Sequence, residues 1–437
     1  MEAEAIEIDG RTGEGGGQLV RVACALAAVT SQAIKVINVR GNREGPRLKS
    51  QHVTSLTWLT KATNAEVTGL TVGSHTVEFR PRLKPWDLKS RKIKIDAESS
   101  AASTLLIFQA IFPFLLFASN DRGDPIQVTI TGGTNVSFSL SYEYLDQVLL
   151  PSLERMFGIK VERTLKNRGW SLGKVTRGTV LFKLHPLKAD EPLRLLQSDS
   201  DWTDDDLEVV AVDASIVAPV AMHGSLCECL SQDLGDFFPG ADVTFKVVED
   251  SGEDTRVYVL LVAKSEAGPI WGRDILTSIP KKSRGKDKNA GAKATASFSE
   301  SVARKVSKDL FAEVSSGGVV DEFLQDQLVI FQALAEDRSS FPRTGIIPSE
   351  TGTVGTDPTA AALEEALQDL DLDLGTRERK DKTDEPFGEG STHTQTARWV
   401  VAKLLPQVRF FNKGRICEGV GMVSERKYPE QQLSRSS

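Results

Sequence analysis

Strand-like and helix-like hydrophobic patterns alternate along the chain, starting with a short apolar strand pattern near the N-terminus. The first stretch has the order strand, helix, strand, helix, strand, strand. Its predicted elements cover residues 5–8, 18–31, 34–39, 48–63, 66–71 and 76–80. Strands and helices of these lengths in alternation predict an α/β architecture.

The same order of elements returns after roughly 85–90 residues, which indicates an internal repeat. The second stretch is predicted at residues 92–95, 103–118, 126–130, 141–157, 159–164 and 179–184. Part of the pattern returns a third time towards the end of the chain. Its predicted elements are helices at 298–315, 321–335 and 395–405 and a strand at 408–412.

A segment with a pattern of its own separates the second and third stretches. It contains a predicted strand at 207–213, a helix at 219–234 and two strands at 242–248 and 256–263. We therefore predict an α/β fold of three tandem strand-helix-strand-helix-strand-strand repeats packed as one large domain, with a smaller α/β domain inserted before the third repeat. The predicted boundaries are 1–188 for repeats 1 and 2, 189–277 for the inserted domain and 278–437 for repeat 3.

Two segments of repeat 3 are predicted to be mobile loops. Residues 281–293 are basic and contain glycine, and residues 343–390 are rich in Gly, Thr, Pro and acidic residues. Segments of such composition bury little apolar surface and are typical of solvated chain.

Composition restricts the classes of function. The net charge of −7 argues against a non-specific polyanion binder, so any nucleic-acid contact needs a local basic patch. The four cysteines form no CxxC pair and no disulfide framework, which indicates a reducing compartment. The longest apolar run, 105–117, is interrupted by Gln109 and Pro113 and is too short to span a bilayer. The acidic N-terminus predicts no signal peptide, and we expect no membrane partner.

A glycine-rich loop at residues 13–17 (GEGGG) joins the first predicted strand to the first predicted helix. It is neither a dinucleotide fingerprint nor a Walker A loop, because Gln18 takes the last glycine position and no Gly-Lys-Ser/Thr follows. Consecutive glycines let a backbone approach a ligand closely, and Glu14 among them can hold a divalent cation beside a phosphate. A tight turn with a solvated glutamate is the alternative.

A basic cluster follows the predicted strand at 34–39. Its members are Arg40, Arg43, Arg47 and Lys49, with Gln51 and His52 at the next helix start and Arg21 one turn into the first helix. Arginines at the carboxyl end of a strand suit bidentate capture of a phosphate. A solvated basic loop is the alternative interpretation.

Two later segments place polar groups at helix starts. In residues 321–327 (DEFLQDQ), Asp and Gln suit a ribose or an adenine edge, although an acidic first turn also complements the helix dipole. Residues 391–397 (STHTQTA) place His393, one of only five histidines, between hydroxyls at the start of an apolar helix pattern. A helix N-terminus binds phosphate, and an imidazole there can attack a nucleotide phosphate. A surface or capping histidine is the alternative.

Five motifs together resemble the RNA 3′-terminal phosphate cyclase family. They are EGGGQLVRVACAL at 14–26, VRGNREGPRLKSQH at 39–52, GGTN at 132–135, VDEFLQDQLVIFQALA at 320–335 and HTQTA at 393–397. The resemblance covers most of residues 5–185 and 205–420. It implies three tandem α/β repeats with a small inserted α/β domain, the same layout that the hydrophobic pattern predicts.

The resemblance also implies an activity, the ATP-dependent conversion of an RNA 3′-phosphate end to a 2′,3′-cyclic phosphate. A histidine is first adenylylated, and the AMP then passes to the RNA 3′-phosphate. The adjacent 2′-hydroxyl attacks that phosphorus and expels AMP, which divides one hard displacement into easier steps. The implied partners are ATP, a divalent cation (Mg or Mn) and RNA 3′ ends, and the oligomeric state stays open.

By this resemblance the family's nucleophile corresponds to His393 and its metal-associated carboxylate to Glu14. The family's ATP contacts correspond to Gln109, Phe323, Asp326 and Gln327. Its cluster for the RNA phosphate corresponds to Arg21, Arg40, Arg43 and Gln51. The aromatic position is often tyrosine in the family, and Phe323 retains the stacking surface without the hydroxyl.

Three features depart from the family pattern: Leu140 in place of a proline, residues 172–179 in place of a KGGGEV turn, and the long insertion before His393. One alternative is a catalytically inactive superfamily member that acts in ribosome biogenesis and pre-rRNA processing, but that branch lacks the histidine. A relative of enolpyruvylshikimate phosphate synthase is another, and it would not account for HTQTA or VDEFLQDQ. We expect a nuclear location, in the nucleoplasm or nucleolus, with the cytoplasm as an additional compartment.

Overall fold

The structure is a computed structural model that describes residues 4–99, 102–196, 205–279, 288–343 and 378–424. The first unit contains β1 (Ile6–Asp9), α1 (Gly17–Thr30), β2 (Ile34–Ile37), α2 (Ser50–Thr63), β3 (Glu66–Thr68) and β4 (Val77–Arg80). Its strands form one sheet in the order β1-β2-β4-β3. β1 and β2 are parallel because α1 carries the chain back between them, whereas β4 is antiparallel to both of its neighbours.

The second unit repeats this sheet topology. It contains β5 (Lys92–Asp96), α3 (Thr104–Leu116), β6 (Ile126–Gly132), α4 (Tyr142–Tyr144), α5 (Leu150–Phe157), β7 (Val161–Asn167) and β8 (Gly178–Leu184). The order β5-β6-β8-β7 has the same parallel pair followed by antiparallel pairs. The single helix predicted at 141–157 is divided by a π turn at Leu145–Leu149. Pro151 follows this turn, and its ring excludes the normal helical bond to the preceding turn.

The third unit has a smaller sheet. Its elements are α8 (Glu322–Leu334), β13 (Arg338–Ser340), α9 (Thr392–Leu404), β14 (Arg409–Phe411) and β15 (Ile416–Glu418). The order β13-β15-β14 matches that of the last three strands in each earlier sheet. β13 and β15 are absent from the sequence prediction because β13 (RSS) has no apolar residue and β15 (ICE) is too short to show an alternation. β14 is equally short, but the pair Phe410 and Phe411 marks it.

The inserted unit is a separate four-stranded sheet covered by two helices. Its elements are β9 (Val209–Ala218), α6 (Val220–Phe237), β10 (Asp242–Asp250), β11 (Arg256–Ser265), β12 (Ile270–Ser278) and α7 (Lys288–Ser315), with strand order β10-β9-β11-β12. We expected the helix at 298–315 to belong to the third repeat. Instead, its buried Val302, Val306 and Leu310 share a core with Leu226 and Leu230 of α6. The pattern revealed an amphipathic helix but not the sheet on which it packs.

Both faces of the inserted sheet are buried. Alternate residues such as Ile216 and Val259 contact its own helices, whereas Val217, Tyr258 and Leu260 join the core of the large domain. This arrangement follows from the period of two along a strand, which sends successive side chains to opposite faces. The sheet therefore joins the inserted unit to the rest of the protein, and its edge strand β12 reaches the candidate site.

The prediction of two mobile loops, at 281–293 and 343–390, is wrong for part of each segment. Helix α7 starts at Lys288, so residues 288–293 are helical. Residues 378–390 are held by specific bonds, since Asp381 Oδ1 accepts from the N–H of Lys413 at 2.9 Å and Trp399 Nε1 donates to the carbonyl of Asp384 at 3.1 Å. Residues 281–287 and 344–377 lie outside the described residues. Within the described ranges, no helix combines the length and apolar character needed to cross a membrane.

Candidate active site

His393 lies in the first turn of α9, earlier in the helix than its pattern predicts. The helix starts at Thr392 rather than at residue 395 because Ser391 caps it. Ser391 Oγ accepts a hydrogen bond from the N–H of Thr394 at 3.2 Å, which satisfies one of the free donors of the first turn. The cap fixes the backbone of His393 and points its ring towards the start of α1.

Gln18 orients the imidazole. His393 Nδ1 lies 2.8 Å from Gln18 Oε1, in a part of α1 that is almost fully buried. An amide oxygen only accepts hydrogen bonds, so Nδ1 must carry the proton. The other ring nitrogen, Nε2, therefore keeps its lone pair, which is the form that attacks an electrophile.

The surroundings keep His393 neutral. Burial lowers the pKa of the imidazole to about 4, and the charges of Arg43 and Arg21 add to this effect while Glu322 opposes it. The side chain is still 43% exposed, so a ligand can reach Nε2. At neutral pH the ring is thus an accessible, unprotonated base or nucleophile.

The glycine-rich loop packs directly against α9. The N–H of Glu14 donates to Thr396 Oγ1 at 2.9 Å, and Thr396 Oγ1 donates to the carbonyl of Thr392 at 2.6 Å. Gly13 has a φ of +62°, and a Cβ there would overlap the Thr396 hydroxyl. The loop therefore needs glycine both for its left-handed backbone and for this close approach.

Glu14 is the carboxylate nearest to the nucleophilic nitrogen. Its Oε1 lies 3.9 Å from His393 Nε2 and forms an ion pair with Arg43. Its Oε2 is buried without a hydrogen-bond partner, so this oxygen has a free lone pair. In the described part of the chain, no group of three or more His, Cys, Asp or Glu side chains is placed to hold a metal. A single carboxylate fits a magnesium-type cation whose other ligands are phosphate oxygens and water.

The N-terminus of α1 is open. Its N-cap residue is Gly16, which offers no side chain to the free N–H groups of the first turn. A Cβ at Gly16 would overlap the Glu14 carboxylate. The His52 ring lies against Gly17, with Nδ1 accepting from the N–H of Lys49 at 3.1 Å. Because Nδ1 accepts, Nε2 carries the proton, and this buried N–H has no partner in the structure.

Positive charge surrounds this helix end. Arg21 is buried in α1, and burial lowers its pKa to about 10, with Asp326 opposing and Arg40 reinforcing the shift. Burial also lowers the pKa of His52 well below its usual range, assisted by Arg21, Arg40 and Lys49. Arg40 is fixed by a bond from its Nη1 to the carbonyl of Gly45 at 3.1 Å. Free N–H groups and cations together make a site for an anion.

The residues predicted to bind the RNA phosphate do not all lie equally close to His393 and the start of α1. Arg21 and Arg40 both lower the pKa of His52 beside the start of α1, and Arg21 and Arg43 lower the pKa of His393. Arg43 also forms an ion pair with Glu14 of the glycine-rich loop. Gln51 occupies the first turn of α2, directly beside His52.

The predicted ATP contacts lie on the other side of Arg21. Gln109 Oε1 accepts from Arg21 Nε at 2.8 Å. Asp326 and Gln327 of α8 are hydrogen-bonded to each other and line, with Gln109, a pocket whose walls are mainly apolar. Burial raises the pKa of Asp326 to about 7, against the opposing effects of Gln327, Arg21 and Gln18.

Phe323 stands one turn before Asp326 and exposes 37% of its surface. Its helix is capped by Asp321, whose Oδ1 accepts from the N–H groups of Phe323 and Leu324, both at 2.9 Å. The ring of Tyr144 meets Phe323 edge-on with centroids 6.2 Å apart. Phe323 precedes by one turn the Asp326 that lines the apolar pocket, and an exposed aromatic face is suited to stacking on a nucleobase.

Two side chains of this site, Gln18 and Thr396, have no role in the sequence prediction, and a third, His52, appears there only as a neighbour of the basic cluster. All three lie inside the motifs that carry the family resemblance. Only the folded arrangement assigns them functions, because Gln18 and Thr396 act across contacts between the two ends of the chain.

Comparison with known proteins agrees with the geometry. A sequence model described as RNA 3′-terminal phosphate cyclase matches residues 12–410. Three proteins named RNA 3′-terminal phosphate cyclase illustrate the similarity. The one from Pyrobaculum aerophilum is 30% identical over 336 residues, 77% of this chain and 86% of its own length. The one from Methanosarcina mazei is 31% identical over 345 residues, 76% of this chain and 89% of its own length. The one from Drosophila melanogaster is 28% identical over 359 residues, 81% of this chain and 90% of its own length. The chain belongs to the RNA 3′-terminal phosphate cyclase family.

Proposed function

We propose that this protein converts RNA 3′-phosphate ends to 2′,3′-cyclic phosphates, using ATP and a histidine-AMP intermediate. The observation that carries the proposal is the state of His393. Its Nδ1 is bonded to Gln18, and its Nε2 lies 3.9 Å from the Glu14 carboxylate beside an open helix N-terminus. A histidine with a purely structural role would not require an accessible lone pair beside a carboxylate and an open helix N-terminus.

In the first step, Nε2 of His393 forms a bond to the α-phosphorus of ATP. The bond from that phosphorus to the bridging oxygen breaks, and pyrophosphate leaves with the electron pair. The positive charge that develops on the ring is stabilised by Gln18 Oε1, which accepts from Nδ1–H. Arg21, whose charge already acts on His393, would neutralise the departing phosphates.

In the later steps, an oxygen of the RNA 3′-phosphate attacks the phosphorus of the adenylate, and the electron pair of the phosphorus–nitrogen bond returns to Nε2. The neighbouring 2′-hydroxyl then loses its proton and attacks the 3′-phosphorus, so that AMP leaves. We assign the RNA phosphate to Arg21, Arg40, Arg43 and Gln51. Because the protein has a net charge of −7, this local cluster must supply most of the attraction for RNA.

A divalent cation, Mg or Mn, would be held by Glu14, whose Oε2 is an unpaired acceptor. When bound, it would neutralise phosphate charge at the reacting centre. The Arg43 ion pair occupies the other carboxylate oxygen, so cation and arginine would meet at the same side chain.

The adenosine half of ATP is assigned to the pocket between α3 and α8. Gln109 and Gln327 offer amides, Asp326 offers a carboxylate to a ribose hydroxyl, and Phe323 offers an aromatic face. The alternative role, as an inactive ribosome-biogenesis factor, makes no use of this nucleotide geometry. We also propose a nuclear location, with the cytoplasm as an additional compartment.

Incubation with ATP labelled on the α-phosphate tests the proposal directly. The protein should acquire a covalent label that is lost in acid, as a phosphoramidate is, and γ-labelled ATP should leave none. Addition of RNA with a 3′-phosphate should discharge the label and yield a phosphatase-resistant RNA end. A protein that binds RNA but takes up no label would instead support the ribosome-biogenesis role.

Arg43→Ala separates the two halves of the proposed site. If Arg43 serves mainly the RNA phosphate, cyclisation should fall strongly while self-adenylylation continues. Equal loss of both steps would assign this arginine to ATP.

A further inference from the structure

Arg273 of the inserted unit reaches the candidate nucleotide site. It lies on β12, is 8% exposed, and forms ion pairs with Glu313 of α7 and Glu322 of α8. Its guanidinium carbon lies 4.5 Å from the centroid of the Phe323 ring, over one face of that ring. A planar guanidinium in this position both covers the ring and attracts its π electrons.

The backbone of β12 supports the same helix start. The N–H of Gly272 donates to Asp321 Oδ2 at 2.8 Å, and the hydroxyl of Tyr144 donates to Asp321 Oδ1 at 2.6 Å. Asp321 in turn caps α8 immediately before Phe323. The backbone and the ring of Phe323 are therefore both held by one strand of the inserted unit.

Buried and half-buried carboxylates stabilise the positive charge of Arg273. Glu313 is fully buried and also accepts from Arg343 Nε at 2.9 Å, so the carboxylate is shared by two arginines. This arrangement fixes the guanidinium plane, because each of its partners is itself anchored. A lysine would keep the charge near Glu313 but has no planar surface to lay against a ring.

We propose that Arg273 is a positioning residue for the nucleobase of ATP, acting by holding one face of Phe323 so that the rest of its exposed ring meets the base. This inference rests on the proposed function only in taking ATP as the ligand. It gives the inserted unit a direct part in nucleotide binding. The triphosphate and the reacting atoms lie on the Arg21 side of the site and do not depend on this contact.

Steady-state turnover of RNA with a 3′-phosphate, at saturating RNA and varied ATP, tests the proposal with the full-length protein. Arg273→Lys should raise KM for ATP by about threefold to tenfold with kcat unchanged, a change that lies between the sizes of an exposed and a desolvated cation–π contact. Inorganic tripolyphosphate, which has no base, should inhibit the variant and the parent protein equally. Phe323→Leu should raise KM similarly, and Arg273→Lys should add little in that background because the ring is already gone.

Arg256→Lys is the matched control. Arg256 lies on the neighbouring strand β11, is 4% exposed, pairs with Glu253 and lies 4.6 Å from the centroid of Trp170. It makes the same kind of contact away from the nucleotide pocket, so its KM for ATP should equal that of the parent protein. Thermal unfolding of each variant verifies that the comparison is made on folded protein.

Three outcomes would overturn the inference: an unchanged KM in Arg273→Lys, multiplication of the two effects in the double variant, or an equal rise in Arg256→Lys. Each is distinct from failure of the proposed function, in which the parent protein itself would bind no ATP in a calorimetric titration. Should Arg273→Lys fail to fold, a second test combines three substitutions in one protein: Phe323→Leu, Arg273→Gln and Glu322→Gln. Its KM for ATP is compared with that of Phe323→Leu alone. There the extra substitutions should leave KM at the Phe323→Leu value, and a further rise of tenfold or more would contradict the proposal.

Discussion

The first and second units share one sheet topology, yet their first helices begin in opposite ways. α3 is capped by its own chain, since Ser103 Oγ accepts from the N–H of Leu106 at 3.3 Å and lies 2.7 Å from Ser139 Oγ. α1 begins at Gly17 after Gly16 and has no side-chain cap. In one unit the helix end is closed by serine hydroxyls, and in the other its N–H groups are left free.

The two units therefore share the packing of their sheets and differ at the N-terminus of the first helix, where only α1 is open to a ligand. The free end of α1 is surrounded by Arg21, Arg40 and His52, and it faces His393 of the third unit. Leaving helix N–H groups without partners costs stability. The first unit, which carries this loss of stability, is also the unit whose glycine-rich loop contacts the helix of His393.

The largest expected effect comes from removing the nucleophile while leaving the open helix end intact. His393→Ala should abolish covalent labelling by ATP and cyclisation, because no other imidazole is held in its place. ATP binding measured by calorimetry should persist, since the assigned contacts lie on α1, α3 and α8. His223→Ala, in the inserted unit, should label normally, and label that persists in His393→Ala and maps to a lysine would contradict the assignment.

Closing the open helix end should have the next largest effect. Gly16→Ser gives α1 the kind of cap that α3 has, and its Cβ would displace the Glu14 carboxylate. We expect adenylylation to slow by about a hundredfold, as misplaced catalytic groups typically cause. Rapid-quench measurement of label uptake gives the rate. Gly224→Ser, where a Cβ meets no atom within 4 Å, is the control and should react like the parent protein.

Removal of the group that orients the imidazole should have a smaller effect. Gln18→Leu keeps the size of the side chain but leaves Nδ1 of His393 without its acceptor. We expect a tenfold or larger fall in the adenylylation rate, about the loss seen when residues that orient metal-bound histidines are changed. Nitrogen chemical shifts of the imidazole should show mixed tautomers in the variant and one tautomer in the parent protein. A single unchanged tautomer would contradict the role assigned to Gln18.

The pH dependence should be weak in the range where histidines usually titrate. Protonation removes the Nε2 lone pair, so the rate falls as pH drops through the pKa of His393, which is about 4. At saturating ATP the rate should therefore be nearly constant from pH 7 to pH 5.5. An imidazole with the ordinary pKa of about 6.5 would lose about tenfold over this interval. Because the pKa of Asp326 is also raised, to about 7, the ring itself is followed by its nitrogen chemical shifts. A midpoint near 6.5 in the titration of the His393 ring would show that the ring is not desolvated.

Removing the cap of α3 should have the smallest effect on the rate of adenylylation. Ser103→Ala removes the cap of α3 and should lower the free energy of unfolding by about 1 kcal/mol. Chemical denaturation measures this loss, and the rate of adenylylation should stay that of the parent protein. A large loss of rate would mean that the second unit also shapes the reacting centre.

The sequence predicts the long elements well because they are strongly hydrophobic or strongly periodic. α1, α3 and α8 lie within a few residues of their predicted limits. β12 escapes prediction because it carries Gly272, Arg273 and Asp274, which interrupt an apolar pattern. Those residues belong to a strand because the backbone of β12 pairs with β11 along its whole length. Asp321, Glu313 and Tyr258 supply hydrogen-bond and ion-pair partners for them.

The sequence predicts which residues form the candidate site but not which hydrogen bonds and ion pairs join them. Motifs single out His393, Glu14 and Arg43 as candidate functional residues. They do not reveal that Glu14 pairs with Arg43 or that Gln18 selects the tautomer of His393. Such pairings depend on side-chain conformations at a contact between distant segments, and no local pattern encodes them.

The contact between Gln18 and His393 joins residues 375 positions apart, and the bond from Glu14 to Thr396 joins residues 382 positions apart. A ribosome releases the glycine-rich loop long before it translates the histidine. The nascent chain can fold its first two sheets while the loop still lacks the helix that completes it. Such a chain holds the open N-terminus of α1 without His393 beside it. Under the proposed mechanism, adenylylation can begin only after translation has passed α9, and a protein truncated before this helix should take up no label from ATP.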